Sequence, residues 1–181
     1  MGDQKSSSAI LPKLRLNKIF FLVCSFSFFF LGYLLAREFL PPFRVVGVVD
    51  GDTIIVRIGF QKELVRLLGI DTPEVQSPYT KEECFGKEAS EKPKSLLEKQ
   101  SVYLLKDAQS QDRDKYQRLL RYVFLEDGTF VNAKLLREGY ATAYIIEPIE
   151  FGSYFEKLNH EAKEAKKGLW KVCPQEKDFL R

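Results

Sequence analysis

The 181-residue sequence holds one histidine, one tryptophan, one methionine and three cysteines. A lone histidine, His160, excludes any centre built on two or more imidazoles, such as a His-rich zinc site. Three cysteines exclude a disulfide-dense miniprotein. The net charge is only +3, and 45% of the residues are hydrophobic, so the chain is neither a charged tail nor a disordered one. Even that small excess is local. Residues 1–40 hold five bases and two acids, and residues 41–181 hold 23 of each. The larger part has no broad basic field. Any affinity it has for an anion must come from a few placed groups, and the salt slope of such binding should be no steeper than about −5 on a log–log scale.

Long apolar runs are also scarce: there is one. Residues 19–36 carry no charge and include six phenylalanines. At helical rise the run reaches about 27 Å, close to a bilayer's hydrocarbon thickness. The alternative is a buried core helix, which rarely carries so many phenylalanines behind a basic leader. Four bases precede the run, so the leader, residues 1–18, is expected to stay in the cytoplasm and the rest to lie outside it. Signal peptidase prefers small residues at −3 and −1, and Leu34 and Ala36 meet that only in part. The expectation is therefore a single-pass anchor, or a secreted domain if the run is cleaved. Residues 37–42 then form a linker ending in Pro41 and Pro42, residues 43–174 a folded domain and residues 175–181 a tail. In an exported domain Cys84 and Cys173 can pair, closing a loop of about 90 residues for roughly 4–5 kcal/mol. Two unpaired buried thiols are the other possibility.

Residues 44–50 read as a buried strand, 53–58 as an alternating β-branched strand and 63–70 as a third, joined by turns at Gly51 and Gly59. Strands follow at 101–105 and 119–125. Helices are expected at 87–100, with Pro93 marking a kink or a first turn, at 133–138 behind an Asn132 cap, and at 154–167 ended by Gly168. The fold class is α+β. It is a five-stranded OB-type barrel with three helices, preceded by the transmembrane helix. His160 and the charges of the last helix read as solvated surface, and Trp170 as core.

Two acidic clusters flank adjacent strands. Asp50, Gly51, Asp52 and Thr53 form the first turn, and Asp71, Thr72, Pro73 and Glu74 end the third strand. Asp50 reads as a turn residue bonding its own backbone. Asp52, Asp71 and Glu74 are expected to converge. Crowded carboxylates either raise one another's proton affinity or hold a cation, and hard oxygen ligands suit Ca²⁺ or Mg²⁺. Arg66 and Arg118 lie nearby in sequence or strand order. Guanidinium groups beside a carboxylate-held cation are the equipment of phosphoryl chemistry. A structural ion pair on a barrel rim is the simpler alternative for either arginine.

Six segments then carry a resemblance: VVDGDTIIV, VRLLGIDTPE, CFGKEAS, DKYQR, VNAKLLREGYATAY and EAKKGLW. In that order and spacing the chain resembles the staphylococcal nuclease (thermonuclease) family over residues 43–174. The resemblance implies an OB-type barrel and Ca²⁺-dependent hydrolysis of DNA and RNA to 3′-phosphate products. It implies Asp52, Asp71 and the Thr72 carbonyl as Ca²⁺ ligands, Glu74 as general base, and Arg66 and Arg118 on the phosphate. Lys115, Tyr116 and Tyr144 match positions that contact the nucleotide. Cys84 and Cys173, beside CFG and after GLW, suit a bridge to the tail. Ile146 stands where a second stacking tyrosine is expected, and Glu147 replaces a base. The alternatives are a catalytically inactive OB-fold module that binds nucleic acid or protein, and a structural part of an envelope assembly.

Overall fold

The computed structural model describes residues 42–76 and 81–173. The expected transmembrane run, the basic leader and the tail lie outside them. Among the described residues no helix is long and apolar enough to cross a membrane.

The elements run β1 (Phe43–Val48), β2 (Thr53–Ile58), β3 (Gln61–Leu67), β4 (Ile70–Asp71), α1 (Gly86–Leu97), β5 (Ser101–Leu105), β6 (Leu119–Leu125), α2 (Val131–Glu138), β7 (Thr142–Ala143), α3 (Gly152–Glu164) and α4 (Leu169–Val172). Five strands close a barrel in the order β1-β2-β3-β6-β5. Only β3 and β6 pair in parallel; β5 returns antiparallel to β1 and closes the ring. The alternation predicted for β2 is real. Ile54 and Val56 are fully buried, with Thr53, Ile55 and Arg57 on the other face. Val45, Val65, Leu67, Val102 and Val123 complete the barrel interior. Leu97, Leu135, Leu136, Phe155 and Leu158 cover it from the helices. Tyr122 meets Phe130, Phe151 and Phe155 edge-on, the arrangement aromatic rings prefer.

The architecture matches the expected five-stranded barrel, with local corrections. The first strand ends at Val48, because Asp50 and Asp52 already belong to the turn. The third expected strand is two: the chain turns at Leu68 and Gly69, and Ile70–Asp71 leaves the barrel to pair with Thr142–Ala143. Pro93 marks no first turn; it sits inside α1 and is buried. Asn132 is not a cap. It lies within α2, fully buried, where its side-chain carbonyl accepts Val123 N–H and its amide donates to the Leu68 carbonyl. It therefore ties α2 to β6 and to the β3–β4 turn. The last long helix spans Gly152–Glu164, and residues 169–172 add a single turn. Cys84 and Cys173 are joined, with Cα atoms 5.8 Å apart. His160 is exposed.

Candidate active site

The site is built where the β1–β2 turn meets the end of β4. Asp50 accepts the Asp52 N–H at 3.1 Å, which shapes the turn and spends Asp50 on its own backbone, as expected of it. The turn brings Asp52 against Thr72, whose N–H and hydroxyl both donate to Asp52 Oδ2 at 3.2 Å. Gly51 makes this approach possible. A Cβ there would lie 2.3 Å from Thr72 Oγ1. The spacing that looked like two separate acidic clusters is thus one contact.

Arg66 bridges the two aspartates. Its Nη2 lies 2.8 Å from Asp71 Oδ1 and 3.1 Å from Asp52 Oδ2. Its Nη1 donates to the Ile70 carbonyl at 2.7 Å and the Leu67 carbonyl at 3.1 Å, which fixes the guanidinium plane. Arg118 enters from the loop before β6. Asp114 holds it, accepting its Nε–H at 2.7 Å and its backbone N–H at 2.9 Å. Arg118 Nη1 donates to Thr53 Oγ1 at 3.4 Å, and that hydroxyl donates to Asp52 Oδ1 at 3.1 Å. Both arginines are therefore linked through Asp52. Tyr116 is two-thirds exposed, with the Lys115 ammonium and the Arg118 guanidinium each over its ring, at 5.0 and 5.4 Å. Tyr144 is exposed beside β4, its N–H donating to the Gly69 carbonyl at 3.0 Å. Ile146 is exposed as well.

Glu74 lies close enough to the aspartates that the charges of Asp50 and Asp71 raise its carboxyl. Among the described residues no three His, Cys, Asp or Glu side chains gather into a metal cluster. Glu74 is instead placed by its backbone. Its N–H donates to Glu83 Oε2 at 3.1 Å, and its carbonyl accepts Glu83 N–H at 2.9 Å. Gly86 completes the clasp, since a Cβ there would lie 2.2 Å from the Glu74 carbonyl oxygen. Cys84, bonded to Cys173, follows Glu83 directly. Glu83, Asp114 and Thr53 were missed as functional residues. The i,i+4 spacing of Asp114 and Arg118 was the available signal for one of them.

The electrostatics mark this rim as short of positive charge. Burial pushes the Asp52 carboxyl up to about 7, Asp50 and Asp71 add to the rise, and Arg66 opposes it. Asp71 is raised by loss of water and held back by Arg66. Glu74 is raised by loss of water and then by the charges of Asp50, Asp71 and Glu83. The donor set fits a hard divalent ion: two carboxylates, a nearby backbone carbonyl, and no imidazole or thiolate. So few protein ligands would leave coordination positions for water and a phosphate oxygen.

A five-stranded barrel whose rim sets two anchored arginines against crowded carboxylates defines a phosphodiester-hydrolysing nuclease. Comparison with known proteins gives the family. Residues 64–172 match the family model described as staphylococcal nuclease homologue. Thermonuclease of Staphylococcus hyicus is 39% identical over 129 residues, covering 71% of this chain and 75% of that protein. Thermonuclease of Staphylococcus intermedius is 40% identical over the same length, with the same coverage of both chains. The SPbeta prophage-derived endonuclease YokF of Bacillus subtilis (strain 168) is 41% identical over 124 residues, which span 67% of this chain and 41% of that protein. The chain belongs to the staphylococcal nuclease homologue family.

Proposed function

We propose that this protein is a Ca²⁺-dependent endonuclease that cleaves DNA and RNA to 3′-phosphate products. We also propose that residues 19–36 tether it to a membrane, with the leader cytoplasmic and the nuclease domain outside. The observation that carries the catalytic reading is the Arg66 guanidinium held between Asp52 and Asp71, joined to Arg118 through Thr53. Asp52, Asp71 and the Thr72 carbonyl would hold the ion, which when bound neutralises phosphate charge and orients water. Arg66, whose Nη1 is fixed by the Ile70 and Leu67 carbonyls, would offer Nη2 to a phosphate oxygen once the ion draws on the two aspartates. Arg118, oriented by Asp114, stabilises the charge that grows on the other equatorial oxygens. Glu74 takes a proton from the attacking water. The water oxygen bonds to phosphorus, the bond to the 5′-oxygen breaks, and that oxygen leaves as a hydroxyl after gaining a proton from solvent. A base needs high proton affinity, and the raised Glu74 carboxyl fits that role. Lys115, Tyr116 and Tyr144 contact the nucleotide.

The test uses the full chain with single-stranded DNA and RNA, with Ca²⁺ or with chelator. Cleavage is expected from the wild type with Ca²⁺ alone. Glu74→Gln should lower kcat by about 10²–10⁴-fold. No cleavage by the wild type at any Ca²⁺ concentration sinks the reading. The topology is tested apart from activity. In intact cells Cys84 and Cys173 should resist alkylation until reduced, and ready alkylation of the native protein argues for a cytoplasmic domain.

A further inference from the structure

Arg44, Arg57 and Lys62 stand on three adjacent strands as direct cross-strand partners. Arg44 pairs with Arg57, and Arg57 pairs with Lys62. All three are exposed. Among the described residues none has an ion-pair partner. Like charges directly opposite one another destabilise a sheet, so the rung is a cost that folding alone does not explain. It also gathers three bases in a domain with no net charge.

Its position relates it to the catalytic rim. Along β2 and β3 the pairs are Thr53 with Arg66, Ile55 with Leu64, and Arg57 with Lys62. Side chains two apart on a strand share a face, so the rung lies on the same outer face as Arg66. The separation is four residues, about 13 Å. Ile55 and Leu64 lie between, and they place no carboxylate on the path. Glu63 belongs to the other face and is spent on Arg113 at 2.9 Å. Past the rung, at the tip of the β2–β3 hairpin, Phe60 is wholly exposed.

We propose that Arg44, Arg57 and Lys62 form a remote phosphate subsite that holds the backbone of a single-stranded substrate about 13 Å along the strands from Arg66, with Phe60 as a base-stacking platform at its end. This rests on the nuclease reading and adds to it a strand path and a preference for long substrates. Cations along a backbone with an exposed ring for the bases are the recurring parts of single-strand binding. An anionic lipid surface would also meet cations and an aromatic tip. The shared face with Arg66 favours the polynucleotide.

Binding is measured on the full chain carrying Glu74→Gln, so that the oligonucleotide survives, across a salt series. Replacing all three cations by glutamine should make the log–log salt slope shallower by about two, and Lys62→Gln alone by about 0.7. In the otherwise native enzyme, the ratio of kcat/KM for an oligonucleotide to that for a dinucleotide should fall at least several-fold. Removing mutually repelling charges should not lower the melting temperature, and the single variant keeps the test open if the triple variant misfolds. An unchanged slope overturns the proposal. So does quenching of Phe60→Trp by brominated phosphatidylglycerol vesicles with the slope unchanged, which makes the rung a lipid-docking surface. A wild type that cleaves neither substrate counts against the nuclease reading, and the slope still decides the rung.

Discussion

Asp107 and Asp52 are both buried aspartates at the junction of a loop and the barrel, and their proton affinities move in opposite directions. Asp107 collects four donors. Oδ1 accepts the N–H groups of Gln109 and Ser110, and Oδ2 accepts the Tyr122 hydroxyl and the Glu150 N–H. Dehydration works against its charge, but those bonds win and hold the carboxyl below its usual range. Asp52 has the two Thr72 donors, Thr53 and Arg66, yet burial raises its carboxyl and the charges of Asp50 and Asp71 add to the rise. A buried aspartate therefore has no single purpose. A carboxylate saturated with donors has nothing left to bind, whereas one crowded by other carboxylates gains from a cation.

Four measurements test that contrast. The largest effect is expected from the clasp on the catalytic side. Reducing the Cys84–Cys173 bond, which spans 89 residues, should lower stability by about 4–5 kcal/mol in denaturant unfolding. It should also depress kcat, because Cys84 adjoins Glu83. Unchanged activity after reduction would separate the clasp from Glu74. Next, Asp52→Asn should cut the rate more than about 100-fold, since losing a ligand costs more than losing its supporting partner. Its melting temperature without cation should not fall. A stability loss like that of the next variant would erase the contrast. Third, Asp107→Asn should cost about 1–3 kcal/mol while Ca²⁺ affinity and kcat hold.

The smallest effect is the pH dependence of the cation-free protein. Folded Asp52 holds its proton up to about 7, whereas an unfolded aspartate releases it near about 4. Between those values the unfolded chain binds fewer protons, so stability falls as pH rises. Asp107 has the reverse sign. Its folded carboxyl is depressed, so its contribution is present above about 4 and is lost as pH drops further. Melting scans should show Asp52→Asn flattening the neutral side and Asp107→Asn flattening the acid side.

The same two regions show what was readable in the chain. The barrel strands were legible because Ile54, Val56 and Val65 alternate with neighbours on the opposite face, a pattern that the pleat imposes on sequence directly. Asp52, Asp71, Arg66 and Arg118 were legible because they fall at strand ends and turns, inside segments that resemble a known family. Asp107 gave no signal, since its partners Tyr122 and Glu150 are remote in sequence and three of its four bonds come from backbone N–H groups. Glu83 was hidden for the same reason, as it acts on the backbone of Glu74. Asn132 was misread because a cap and a buried cross-brace use the same amide chemistry. The pairing of β4 with β7 is two residues long, too short for any periodicity to register.

That short pairing sets a timetable for the enzyme. Asp71 stands in antiparallel register with Thr142, and Ile70 with Ala143. A ribosome that has released the chain through Arg118 has already delivered Asp52, Arg66, Asp71, Glu74 and Arg118. It has not delivered the strand that fixes Asp71 in place. Contacts across such sequence distances form late. Catalytic competence therefore waits for almost the whole domain, although the residues it needs are delivered well before.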